Sequence, residues 1–145
     1  MDGHKEYLSD IIEGKKTRFV IPVYQRNYDW KPEQCGRLFD DLVEVSKTGR
    51  EEHFFGSIVS QTPRGERVVI DGQQRLTTMV IFFKALCAKI DANRLFERDF
   101  VLETGEVALR HGKYDRQDFE KVVNATGSEP VEGSSAIIGA YNYFL

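Results

Sequence analysis

Metal and redox chemistry have little to work with in this chain. Its 145 residues include two cysteines and three histidines. Cys35 and Cys87 each fall on the apolar face of a predicted helix, the place of a core thiol rather than of a disulfide or zinc ligand. His4, His53 and His111 are scattered, with no Cys/His spacing that would hold zinc. No apolar run approaches a membrane span, and the first residues, Met1 to Glu6, contain no apolar targeting core. The protein therefore reads as cytoplasmic, and Asn124-Ala125-Thr126 reads as a chance glycosylation sequon. The chain has no internal repeats and no Walker A sequence, so it is not a P-loop enzyme. Nor is there a large excess of charge. With a formal net charge of −3, the domain as a whole does not attract nucleic acid, and any DNA contact would need a local patch. Lys15, Lys16, Arg18, Arg26, Arg64 and Arg67 are the candidates for one, several of them reading as ordinary solvated surface.

What is present is an ordinary globular composition, 41% hydrophobic and 30% charged, at a length that suits one domain. Its most informative stretch runs from Arg67 to Met79. Val68, Val69 and Ile70 form a β-branched run typical of a buried strand. Asp71-Gly72 breaks that run, and glycine adopts the positive φ that other residues avoid. From Leu76 the apolar residues fall at 76, 79, 80, 83, 86, 87 and 90, the spacing of a one-sided helix over 75–90. Gln73, Gln74 and Arg75 thus sit between a strand end and the first turn of a long helix. The unpaired amides and the positive dipole end of such a turn suit an anion, and Arg75 adds a planar fork of donors. The stretch reads as a phosphate cradle, against the plainer alternative of a structural junction.

Around it, residues near 7–12 suggest a short helix. Phe19, Ile21 and Val23 alternate as a strand, and Pro22 places it at a sheet edge or marks the strand's end. Between Tyr24 and Trp30 three aromatics, a glutamine and an arginine are concentrated in seven residues. Tyr28 and Trp30 read as core anchors, whereas Tyr24, Gln25 and Arg26 read as groups displayed for binding. A helix opens at Pro32 and stops at Gly49, with Cys35, Leu38, Phe39, Leu42 and Val45 inward. Residues 53–60 and 66–71 form an antiparallel hairpin across the turn at 62–65, and Gly56 inside it marks a bulge or room for a ligand. A charged connection and a second hairpin (100–102 with 107–109) follow. Helices are then predicted over 115–124 and from Ser135 onward, joined by a loop over 126–135. The apolar period of the last helix runs to the final residue without a cap, which reads as a cut inside a helix. The expected fold class is α+β, a small mixed sheet with flanking helices.

Asp71-Gly72-Gln73-Gln74-Arg75-Leu76-Thr77-Thr78 resembles the signature of the DUF262 family, the N-terminal domain of GmrSD-type modification-dependent restriction systems. Ile21 to Trp30 is similar to a second block of that family, and Phe54 to Val59 to a weaker third. The resemblance continues through Ala140-Tyr141-Asn142-Tyr143-Phe144 and so covers nearly the whole chain. It implies a ParB/sulfiredoxin-like domain over 1–125, followed over 126–145 by a loop and the start of a helical region. It further implies binding and hydrolysis of a nucleoside triphosphate, GTP or ATP, coupled to defence against modified foreign DNA. The expected partner is an HNH-type nuclease domain, in cis or in trans.

On that basis Gly72 gives the turn, the amides of residues 73–75 meet phosphate oxygens, and Arg75 neutralises charge. Thr77 or Thr78 caps the helix or contacts a phosphate. Asp71 holds Mg²⁺ or orients the attacking water, and Gln73 or Gln74 positions that water. Tyr24, Gln25 and Arg26 close the other side, with Gly56 and Ser57 lining the site. Two other readings remain: a DNA-binding, modification-sensing module without NTPase activity, in which Tyr24 and Tyr28 inspect the DNA, and a direct nuclease, for which no metal-binding cluster is recognisable.

Overall fold

A computed structural model describes residues 19–22, 27–48, 59–61, 67–102, 106–112 and 115–145. The expectations for residues 7–12, 53–58 and 62–65, and for Lys15, Lys16 and Arg18, lie outside the described residues. The fold is mixed α+β. Four strands, β1 (Phe19–Val20), β2 (Val59–Gln61), β3 (Arg67–Asp71) and β4 (Leu109–Arg110), form one sheet in the order β2-β3-β1-β4. Among the described residues five helices accompany it: α1 (Pro32–Thr48), α2 (Gln73–Lys89), α3 (Asn93–Phe100), α4 (Arg116–Val123) and α5 (Ala136–Phe144).

β2 and β3 pair antiparallel as expected, with a register irregularity between Val59 and Ser60. β1 runs parallel to β3 on one side and to β4 on the other. It is a central strand, so of the two meanings of Pro22 only the strand end holds. The N–H groups of Phe19 and Ile21 donate to Ala108 and Arg110 carbonyls at 2.8 and 2.9 Å, and Pro22 follows where no further ladder donor is needed.

The expected second hairpin is present in reduced form: the Leu102 N–H donates to the Glu106 carbonyl at 2.7 Å and the Ala108 N–H to the Phe100 carbonyl at 2.8 Å. Phe100 closes α3, and Val101 and Val107 form an isolated bridge. Leu109 then leaves to pair with β1. The charged connection before it is helical because Phe96 and Phe100, four residues apart, point one face inward, where both are almost fully buried. Arg94, Glu97 and Arg98 remain exposed on the other face.

α1 starts at Pro32, whose missing N–H costs nothing in a first turn. The Gln34 amide oxygen accepts from the Lys31 N–H at 2.9 Å, closing the helix entry. Its buried residues are Cys35 and Leu38, while Phe39, expected inward, is 41% exposed and meets Phe82 edge-on. α2 departs from the one-sided reading. Thr77, Thr78, Ile81, Lys84, Ala85 and Ala88 are buried with Leu76, Val80 and Cys87, whereas Leu86 and Ile90 are exposed. The reason is that α3, α4 and α5 pack against different sides of α2, so the helix is the axis of the domain rather than a lid on its sheet.

α5 begins at Ser135, whose hydroxyl accepts from the Ile138 N–H at 3.3 Å. It places Ile137, Ile138, Ala140 and Tyr141 in the same core as Phe19, Val69, Leu76, Phe119 and Val122. That shared core makes α5 a part of one folding unit. Ile138→Ala should therefore lower the stability of the whole chain by about 2–5 kcal/mol, read as a single urea transition followed by circular dichroism. A second transition, or an unchanged midpoint, would show α5 to be only appended.

Candidate functional site

Strand β3 ends at Asp71, and Gly72 turns the chain into α2 with φ 91° and ψ 10°. That left-handed geometry excludes a Cβ without strain. Gly72 supplies no side-chain cap, and the first turn of α2 holds no acidic residue. The corner therefore presents helix-start donors with the positive end of the dipole, and the nearest carboxylate is that of Asp71, just before the turn. Asp71 is exposed, and its Oδ1 accepts from the Gly72 N–H at 2.9 Å. Arg75 is half-buried in that first turn and already interacts within the fold.

Gln74 does something the sequence did not reveal. Its side chain is 8% exposed. The amide oxygen accepts from the Asp29 N–H at 3.0 Å, and the amide nitrogen donates to the Asn27 carbonyl at 3.0 Å. One side chain thus grips both peptide faces of the segment around Tyr28. Tyr28 is held again by its own backbone, whose N–H donates to Asp115 Oδ2 at 2.7 Å. Burial pushes the Asp115 carboxyl upward, partly offset by that hydrogen bond.

The Tyr28 ring lies inside, 5% exposed, with its hydroxyl 2.8 Å from Thr78 Oγ1 and 3.9 Å from Cys35 Sγ. Thr78 donates its only hydroxyl proton to the Gln74 carbonyl at 2.8 Å, so Tyr28 must be the donor to Thr78, and the Cys35 thiol the donor to Tyr28. Burial drives the Tyr28 phenol well above its ordinary pKa and raises the Cys35 thiol too. Tyr28 is a core anchor and is not displayed for inspecting DNA.

Thr77 also turns inward. Its Oγ1 lies 3.1 Å from His111 Nε2. His111 is 3% exposed and packs on the Phe119 ring, with centroids 4.4 Å apart. Burial lowers its pKa from 6.5 to about 4, so the ring is neutral at physiological pH. Together Ile21, Tyr28, Gln73, Gln74, Thr77 and His111 enclose a crevice too narrow to hold a water molecule.

The structure therefore brings Asp71, Gly72, Gln73 and Arg75 to one exposed corner. It places Gln74, Thr77 and Thr78 just behind that corner, with their polar groups committed to Asn27, Asp29, His111 and Tyr28. Tyr24, Gln25, Arg26, Gly56 and Ser57 lie outside the described residues. His111 and Asp115 went unnoticed as neighbours of the corner because only the parallel β1–β4 pairing and the long-range bond to Tyr28 bring them there. No local pattern in the sequence carries that information.

Among the described residues no group of three or more His, Cys, Asp or Glu is placed to hold a metal ion. Likewise, no described helix is long and apolar enough to cross a membrane.

This strand–turn–helix corner, set on a small mixed sheet, is the context in which the comparison with known families can be read. The model of the GmrSD restriction endonuclease N-terminal domain matches residues 7–139. The chain belongs to that family, and it is accordingly a domain of a GmrSD-type restriction enzyme. A comparison with curated proteins gives no match.

Two outcomes follow from the geometry. Gln74→Leu removes both grips on residues 27–29 and leaves the Asn27 carbonyl and Asp29 amide without their partner. It should cost about 2–3 kcal/mol and speed hydrogen exchange at the Asp29 amide, which NMR reads directly. The second outcome concerns pH. The folded protein holds His111 neutral down to about pH 4 while the unfolded chain protonates it near 6.5, so the unfolded state binds more protons in between. The His111 contribution is present above pH 6.5 and is lost as pH falls toward 4, by roughly 3 kcal/mol at most. The difference between urea-unfolding curves of wild type and His111→Gln, measured from pH 7 to 4, should show this loss in the wild type alone.

Proposed function

We propose that the Asp71–Arg75 corner receives the phosphates of a nucleoside triphosphate, GTP or ATP, and that this domain hydrolyses it within a modification-dependent restriction enzyme acting on foreign DNA. The observation that carries the reading is the uncapped start of α2 behind a left-handed Gly72, free of acidic residues in its first turn and flanked by Arg75. Donors with a fixed orientation and an adjacent guanidinium suit a polyanion better than a neutral ligand. Because the crevice behind the corner is filled, the phosphates sit on its outer side, over the amides of residues 73–75.

In this reading Arg75 balances charge on the phosphate oxygens. The Asp71 carboxylate would hold a Mg²⁺ that accompanies the nucleotide, and that ion would offset phosphate charge when bound. Gln73, half-exposed at the corner, orients the water that attacks the γ-phosphorus as the bond to the bridging oxygen breaks. Gln74 is a positioning residue: its amide is already held by residues 27–29. Thr77 and Thr78 act in the same indirect way, through His111 and Tyr28. Tyr24, Gln25, Arg26, Gly56 and Ser57, which lie outside the described residues, are the further residues assigned to ligand binding in this reading. An HNH-type nuclease domain, in cis or in trans, would use the turnover.

Calorimetry of the chain with GTP and ATP, with Mg²⁺ present, tests binding, and phosphate release tests turnover. Arg75→Ala should weaken binding about tenfold to a hundredfold, the loss of one charged hydrogen-bonding group. Gln73→Ala should reduce phosphate release while leaving affinity nearly unchanged. Binding of short DNA duplexes that Arg75→Ala weakens, with no heat from either nucleotide, would replace this reading by the DNA-binding one.

A further inference from the structure

Eleven residues beyond Gln73, about 16 Å along α2, Lys84 is 3% exposed. Its ammonium donates to Asn93 Oδ1 at 2.9 Å and to the Ala125 carbonyl at 2.8 Å, and it stands 5.3 Å from the Phe96 ring centroid. Both acceptors are neutral. Among the described residues no carboxylate forms an ion pair with Lys84. An ammonium has three protons to donate, and two are used. Taking a charge out of water is costly, and burial lowers the Lys84 pKa, with Cys87 and Glu97 acting in the opposite direction.

Lys84 also lines a cavity of about 360 Å³, within the range of small-molecule sites. Phe96, Val101, Leu102, Val107 and Val123 give that cavity an apolar part, Asn93, Asn124 and Thr126 line the rest with polar groups, and Glu97 is the one carboxylate lining it. A buried cation with a donor to spare, apolar walls and enough volume define a ligand chemistry. We infer that this cavity is a second site, separate from the Asp71–Arg75 corner, which binds a small monocarboxylate with an apolar body. The carboxylate accepts the third Lys84 proton and adds a direct ion pair, which no carboxylate among the described residues makes with Lys84, while the apolar body covers Val101, Val107 and Val123. Glu97 disfavours a second negative charge on the ligand, which restricts the class to monoanions.

Methyl-labelled NMR titration of the chain with phenylacetate, and with phenylacetamide as its neutral isostere, tests the site. Phenylacetate should shift the Val101, Val107 and Val123 methyls saturably, at least tenfold more tightly than the amide. Lys84→Met keeps the apolar stem and should abolish that preference. Because Lys84→Met also breaks two internal bonds, two gentler variants stand beside it. Val107→Phe fills the cavity and should eliminate binding in a folded chain. Glu97→Gln removes the repulsion and should tighten phenylacetate twofold or more. Equal binding of acid and amide, no saturable shift at millimolar concentrations, or indifference to both gentler variants would overturn the inference and leave Lys84 a purely structural staple.

Discussion

The Gln74 carboxamide is the joint on which this domain turns. It sits in the first turn of α2, yet its two polar atoms close on the peptide groups of Asn27 and Asp29, so the helix that builds the corner also fixes the loop facing it. A hydrogen bond between neutral partners contributes only about 1 kcal/mol net, but a buried partner left unmatched costs more. Two such bonds on one side chain therefore act mainly as a constraint on position. Tyr28, lying between the two gripped peptides, extends the constraint inward through Thr78 to the Gln74 carbonyl and, through its N–H, to Asp115 at the start of α4. Three segments far apart in sequence thus share one network with no slack for independent movement.

Electrostatics separate the outer and inner halves of the region. Outside, Asp71 and the uncapped helix start face solvent, where a charged ligand keeps part of its hydration while it is bound. Inside, burial raises the Tyr28 and Cys35 groups and lowers His111, so each of the three is held neutral. A neutral interior behind a positive helix start adds no charge of its own to the corner, where Asp71 is the nearest carboxylate. The buried polar residues support the corner from behind, and the groups that can meet a ligand are few.

Much of this was legible in the chain. The β-branched run at 68–70, the Asp-Gly break and the apolar period after Leu76 located β3, its turn and α2, and Pro32 and Ser135 marked helix starts that the structure places one residue or less away. These are local signals, set by sterics and by unsatisfied amides within one turn. What was not legible came from packing between distant segments. The burial of α2 on several sides depends on α3, α4 and α5 arriving around it. A count of apolar residues on a single helical stripe does not see them. Gln73 and Gln74 are chemically identical neighbours, yet one stays at the corner and the other is drawn into the loop. Only the 100° step between successive helix positions and the path of residues 27–29 distinguish them. Phe96 and Phe100 were hidden differently, among charged residues that belong to the opposite face of a short helix.

The placement of β1 carries a consequence for how the chain reaches its final state. This two-residue strand is flanked on both sides, by β3 and by β4, and its second neighbour, Leu109–Arg110, lies far further along the chain than the first. The early segment must then wait, with Phe19 and Ile21 not yet covered, until Leu109 and Arg110 are available. Long-range parallel pairing of this kind is slow to close and open to wrong partners meanwhile. During synthesis, completion of the sheet is therefore a late event, after α2 and the β2–β3 hairpin have had time to assemble from neighbouring residues.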